Sequence, residues 1–334
     1  MLFRSSLLLV AVGSILVVAT TPFADEKAAP VAKPKVTKAD FEGMMKTHSN
    51  WGRWGANDEL GTLNLITPEK RKQAAALVKD GVTVSLAHDA SKSPIASSSP
   101  FGHKMTALPT AEEFSGASDE YQVAYHGFSE THMDGLCHMA YQGKLYNGYS
   151  YKEVRESGAA KLSVLNVKQG IYTRCILMDM PKLFAVRYLE GNQAIYPGHL
   201  EAWEKVAGVK VESGDIVLIR TGRWERAKVE ANWDIMKNSA GLHASCIPWL
   251  KARDVAVVGS DLALDVMPSG VDGVTLPVHV AVLVAMGMPI LDNLDLEAVS
   301  SAADARKRWM FALTVAPLAV PGGTGSPVNP LATF

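Results

Sequence analysis

Two short apolar runs, residues 215–220 (DIVLIR) and 255–259 (VAVVG), constrain the fold more than any other feature of the sequence. Each is too short for a helix and shows no apolar–polar alternation. Gly214 leads the first and Thr221-Gly222 closes it. Such runs mark strands covered on both faces. The cover must come from helices, and helical segments flank them. Residues 68–79 follow Thr67, which is placed to cap. Residues 244–252 form a second helical segment, and 277–286 are apolar all round, which predicts a buried helix. Further strands are expected at 81–86, 290–291 and 311–315. The class is α/β or α+β, a single domain with a mixed β-sheet core flanked by helices.

Residues 41–334 show no internal repeat and no second linker, so one domain is expected there. With 48% hydrophobic and 20% charged residues the chain is neither disordered nor fibrous. Lys and Arg total 33 against 34 Asp and Glu, so no basic field exists to attract nucleic acid. Cys137, Cys175 and Cys246 form no CxxC pair, which excludes a cysteine-rich zinc site and a disulfide framework. At the front, Arg4 precedes 13 continuous apolar residues, 7–19 (LLLVAVGSILVVA). That is shorter than the roughly 20 needed to span a bilayer, and it fits the hydrophobic region of a signal peptide over 1–24. The expectation is export to the periplasm or medium, with 25–40 (DEKAAPVAKPKVTKAD) as a flexible linker.

The chemistry concentrates in residues 126–138, HGFSETHMDGLCH. If residues 125–134 are extended, side chains two apart share a face about 7 Å from one another. Glu130, His132 and Asp134 then line up. Two carboxylates and an imidazole are costly to bury unpaired, and a divalent cation removes that cost. Gly135 breaks the strand and sets His138 beside the ion, where a general acid–base is useful. A solvated strand face is the plainer alternative. Trp51, Trp54 and Tyr146 are candidates for the wall of a substrate pocket, with core packing as the competing reading.

This segment resembles the HxGTHxDxPxH pattern of the cyclase family, which includes bacterial kynurenine formamidase and isatin hydrolase. Thr131, His132, Asp134 and His138 fall on the matching positions. The similarity runs from Trp51 (WGRWGANDELGTLNLIT) through 138–148, 214–224 and 241–261 to GTGSPVNP at 323–330. It implies the family's swivelling β/β/α arrangement, metal ligands at His132 and Asp134, and catalysis by His138. It also implies His279 (LPVHVAV) and Asp292 (ILDNLDL) as further ligands, and a dimer or tetramer. The family's first His falls on Phe128, its Gly on Glu130 and its Pro on Leu136. With Phe128 unable to bind metal, Glu130 is expected to supply the missing donor. One divalent ion, Mn²⁺ or Zn²⁺, is expected rather than two.

Asp261 and Asp265 match an Asp pair of the family, with structural capping an equal alternative. His243 precedes a helix that it could cap, His199 follows Pro197-Gly198 in a turn, and both read as structural. The function expected is hydrolysis of a cyclic or short acyl amide or ester (a lactam, lactone or formamide) by water activated on the metal. The substrate is a small molecule, with no nucleic acid partner and no membrane contact beyond the signal peptide. A metal-dependent lyase or isomerase would use the same residues, and a non-catalytic binding protein could share the scaffold. No GxSxG elbow supports a serine hydrolase.

Overall fold

A nine-stranded mixed sheet organises the molecule. Its order is Thr83–Ser85, Leu331–Thr333, Met310–Val315, Ile171–Asp179, Ile216–Arg220, Val257–Ser260, Ile290–Asp292, His132–Asp134 and Gly325–Pro327. Ile171–Asp179 through Ile290–Asp292 run parallel in sequence across the sheet. Strands on either side pair antiparallel. The computed structural model describes residues 31–334 except 94, 96–98 and 232. The expected signal segment 1–24 and the first part of the linker lie outside the described residues.

The apolar runs at 215–220 and 255–259 form the neighbouring strands Ile216–Arg220 and Val257–Ser260, buried at every position. The strand Ile171–Asp179 was not among those expected, because Thr173 and Arg174 interrupt its apolar character. Arg174 is tolerated in the core because Asp215 accepts from its Nε at 2.8 Å and its Nη2 at 2.6 Å. Lys70 closes the same buried group at 2.6 Å from Asp215.

Thr67 caps Pro68–Ala75, accepting from Lys70 N at 3.2 Å, and that helix is shorter than predicted. His243 and His199 accept backbone N–H groups at the starts of their turns, from Ser245 at 3.2 Å and Tyr196 at 3.1 Å. The buried segment at 277–286 opens as the helix Pro277–Val280 and widens into a π-turn, Ala281–Met286. The folded body begins inside the expected linker. Thr37 and Asp40 cap each other at the start of Lys38–Thr47, which buries Phe41.

Candidate metal centre

The strand His132–Asp134 lies between Ile290–Asp292 and Gly325–Pro327. Alternation turns His132 and Asp134 to one face and Met133, wholly buried, to the other. Asp292 pairs directly with His132, and Gly325 with Asp134. His279 arrives from the helix Pro277–Val280. Asp265 anchors that helix by accepting from Val278 N at 2.7 Å and His279 N at 3.0 Å.

Asp134 is the hub. Its Oδ1 lies 2.9 Å from His126 Nδ1 and 3.4 Å from His132 Nε2. Its Oδ2 lies 3.1 Å from His279 Nε2 and 3.8 Å from His138 Nε2. Asp292 Oδ2 stands 3.9 Å from His279 Nε2. Two donor groups therefore share Asp134, one with His126 and His132 and the other with His138 and His279. The His126 and His138 rings stack at 3.9 Å and 9°. His132 Nδ1 contacts the Glu130 carbonyl at 2.8 Å, which leaves Nε2 free to face the centre.

Electrostatics separate the roles of these groups. Burial pushes the Asp134 carboxyl up, but the imidazoles of His126, His132 and His279 outweigh it and hold it well below the usual range. Burial likewise opposes protonation of His279, yet Asp292, Asp134 and Asp265 together raise it to about 9. Burial raises Asp292 to about 6, with Asp134 adding and His279 opposing. His138 moves the other way. Burial drives it down to about 4, with Asp134 opposing and the neighbouring histidines adding to the fall. Burial pushes the adjacent Cys137 thiol up to about 12, so it is inert.

These residues fit a divalent ion. Bonds of about 2.1 Å place neighbouring donors on one ion roughly 3.0–3.4 Å apart, and three of the contacts to Asp134 fall in or close to that span. His126 Nδ1 and Asp134 Oδ1 are buried with only one another and the neighbouring imidazole for company, and Asp292 Oδ1 is buried with no hydrogen-bond partner. An added Cβ on Gly325 would press on the Met133 carbonyl and come within 3.0 Å of His126 Cε1, so a glycine is needed for this packing. Mixed N and O donors suit Zn²⁺, Mn²⁺ or Fe²⁺ alike.

Several expected positions need correction. The extended stretch is confined to His132–Asp134, and residues 126–130 are a series of bends. The alternation that would align Glu130 is therefore lost, and Glu130 belongs to neither donor group. Its carboxyl is buried near Ser91, Ser129 and His88, pushed up by burial, with one oxygen unpartnered. Tyr146 is core: it is fully buried, donates to Asp58 Oδ2 at 3.0 Å and packs its ring on Gly287. Trp51 donates to Val284 O at 2.7 Å and lines a surface groove, while Trp54 carries the Arg53 guanidinium 4.8 Å above its ring. Asp261 accepts from Thr221, Gly222 and Arg223 N–H groups and caps Arg223–Ala227.

Three residues that shape the centre were not singled out. His126 opens the histidine-rich segment, but the family's first histidine falls on Phe128, so the resemblance does not point to it. Arg223 and Asn293 clamp the bend ahead of His132. Arg223 Nη2 donates to the Phe128 carbonyl and its Nη1 to Asn293 Oδ1 at 2.6 Å, while Asn293 Nδ2 donates to Gly127 O at 2.6 Å. Their only trace in sequence is their place in the similar stretches at 214–224 and around Asp292.

The model of the Cyclase family matches residues 70–265. Among solved structures, one described as a novel cyclase is 30% identical with a TM-score of 0.79, covering 87% of this chain and 99% of that chain. Isatin hydrolase A from Labrenzia aggregata, bound to benzyl benzoate, is 19% identical with a TM-score of 0.55, covering 78% and 94%. Isatin hydrolase A from Ralstonia solanacearum is 19% identical with a TM-score of 0.52, covering 75% and 91%. These last two share the fold. No curated protein matches the chain.

Proposed function

The chain belongs to the cyclase family, and from that premise we propose that it is a metal-dependent hydrolase of cyclic or short acyl amides or esters. The observation that carries this reading is the set of donors around Asp134, with buried His126 Nδ1 and Asp134 Oδ1 facing each other at 2.9 Å. The isatin hydrolases that share the fold support a lactam-type substrate.

In this reading His126, His132 and Asp134 hold one divalent ion, Mn²⁺ or Zn²⁺, with His279 and Asp292 completing the wall. The bound ion supplies Lewis acidity and a water that ionises near neutral pH. His138 is neutral at neutral pH, and its side chain is 25% exposed, so its Nε2 is free to take a proton. It accepts the proton of the attacking water and returns it to the departing nitrogen or oxygen. The stacked His126 ring fixes the plane in which His138 does so. Export directed by residues 1–24 and assembly into a dimer or tetramer belong to the same reading. The apolar run at 7–19 supports the first and the family resemblance the second.

The test pairs elemental analysis of the purified protein with a turnover screen on aryl formamides, isatin-type lactams and lactones in ¹⁸O water. Expected are a bound divalent ion, ¹⁸O in the carboxylate product, and loss of turnover in His138→Ala with the ion retained. Full turnover without metal, or by His138→Ala, would overturn the reading.

A further inference from the structure

A hairpin of Gly102–Ala107 and Ser118–Gln122 forms its own two-stranded sheet, separate from the main one. It holds large apolar side chains in water: Phe114 is 94% exposed, Leu108 69% and Tyr121 67%. An uncovered two-stranded ribbon is marginally stable at best in water, and large apolar groups left exposed along one such ribbon point to a contact surface. The tip reads TAEEFSG over 110–116, so Phe114 directly follows the acidic pair Glu112 and Glu113.

A complementary surface exists elsewhere on the chain. Helix Lys38–Thr47 and the loop after His138 bound two adjoining cavities of about 430 and 380 Å³. Met45, Trp51 and Tyr141 give the larger cavity an apolar floor, and Trp51 is 42% exposed. Lys46 and Lys144 line it as well, and Lys38 lines the smaller one, against a single acid, Glu42. An aromatic tip carrying acids thus matches an apolar groove lined by lysines, yet Phe114 lies open to solvent within one chain.

We propose that the two meet between copies of this chain, the hairpin tip of one copy docking in the groove of the other. Phe114 fills the apolar cavity, and Glu112 and Glu113 face Lys46 and Lys144. This deepens the homo-oligomeric part of the proposed function and rests on it. Charge favours a second copy over a lipid surface, because acids at the tip are repelled by anionic headgroups. Both partners of the contact are continuous in the chain with segments that carry the metal centre. The returning strand ends at Gln122 and the chain continues to His126, while Met139 and Val280 in the groove follow His138 and His279 directly.

The test is sedimentation velocity of the full-length protein and three variants. These are Phe114→Ser, Glu112→Lys/Glu113→Lys and Lys46→Glu/Lys144→Glu, each checked for native circular dichroism. The wild type is expected to self-associate, and each variant to weaken association about tenfold or more. Mixing the two charge-reversed proteins should restore association. If a variant misfolds, Glu113→Cys mixed with Gln142→Cys replaces it, with a short bismaleimide expected to link the two copies, because Cys137, Cys175 and Cys246 are buried. A dimer or tetramer indifferent to Phe114→Ser and both reversals, or an absent cross-link, overturns this interface while leaving homo-oligomerisation intact. A chain that stays monomeric at high concentration overturns both, as does a monomer that binds phosphatidylcholine vesicles through Phe114.

Discussion

His126 Nδ1 and Asp134 Oδ1 face each other across 2.9 Å, both atoms buried, a spacing that either a proton or a shared cation can bridge. Burying a carboxylate among imidazoles costs free energy unless the charge is balanced, and a cation held by the imidazole lone pair and the carboxylate oxygen balances it. The outer nitrogen of His126 is held by Thr324 Oγ1 at 2.9 Å, the outer-shell contact that aims a ligating imidazole.

His126→Ala is accordingly expected to lower ion affinity by more than the roughly 10–100-fold seen when an outer-shell partner is lost. Phe128→Leu should keep the ion, although Phe128 occupies the position of the family's first histidine. Elemental analysis after dialysis against a graded chelator distinguishes the two. Retention of the ion by His126→Ala would remove His126 from the ligand set.

His126 also shows where the sequence stops being legible. His132 and Asp134 could be paired from spacing alone, because a strand held between two others keeps its alternation. His126 reaches the same centre across the bends at 126–130, and no periodicity describes that path. It depends on Arg223 and Asn293, far along the chain, gripping Phe128 and Gly127. Non-local partners explain the other differences too. Ile171–Asp179 is a core strand because Asp215 neutralises Arg174. Tyr146 is core because Gly287 leaves space for its ring, where a Cβ would come within 2.4 Å. The strands at 216–220 and 257–260 were legible because their burial is written in an unbroken apolar run.

Gly325 tests how tightly the centre is packed. Its position opposite Asp134 has no room for a methyl group, since the obstacle is the Met133 backbone carbonyl rather than a flexible side chain. Gly325→Ala should cost about 1–3 kcal/mol through overpacking, lower Tm and displace His126. Gly43→Ala, whose added Cβ meets nothing within 4 Å, should leave Tm and ion affinity as they are or raise Tm slightly. Calorimetry and metal titration read both effects. An unchanged ion affinity in Gly325→Ala would show that the strand yields without moving His126.

The pH profile follows from His138. Its folded-state value is about 4 against an ordinary 6.5, so the folded protein binds fewer protons than the unfolded chain between those values. Stability from this group is full above pH 6.5 and is lost as pH falls toward 4. Activity follows the same sign, because only neutral His138 can accept a proton. A nearby metal cation pushes in the same direction. The acid limb of kcat/KM is therefore expected near pH 4 rather than 6.5. A limb at 6.5 that persists in His138→Gln would assign it to another group.

Proton release reports on His279. Raised to about 9 by Asp292, Asp134 and Asp265, it carries a proton at neutral pH when no ion is bound, and that charge balances the surrounding carboxylates. A metal ligand must be deprotonated. If His279 joins the coordination, ion binding at pH 7.5 should therefore expel about one proton, and affinity should climb with pH until roughly 9, where the imidazole is already free. Isothermal titration in buffers of different ionisation enthalpy counts the protons. His279→Gln should lower the release by that one proton, because glutamine has no proton to lose. Release at pH 7.5 that survives in His279→Gln would move the displaced proton to His132, whose imidazole Asp134 and Asp292 raise against the effect of burial, because Asp292, raised only to about 6, is already ionised there.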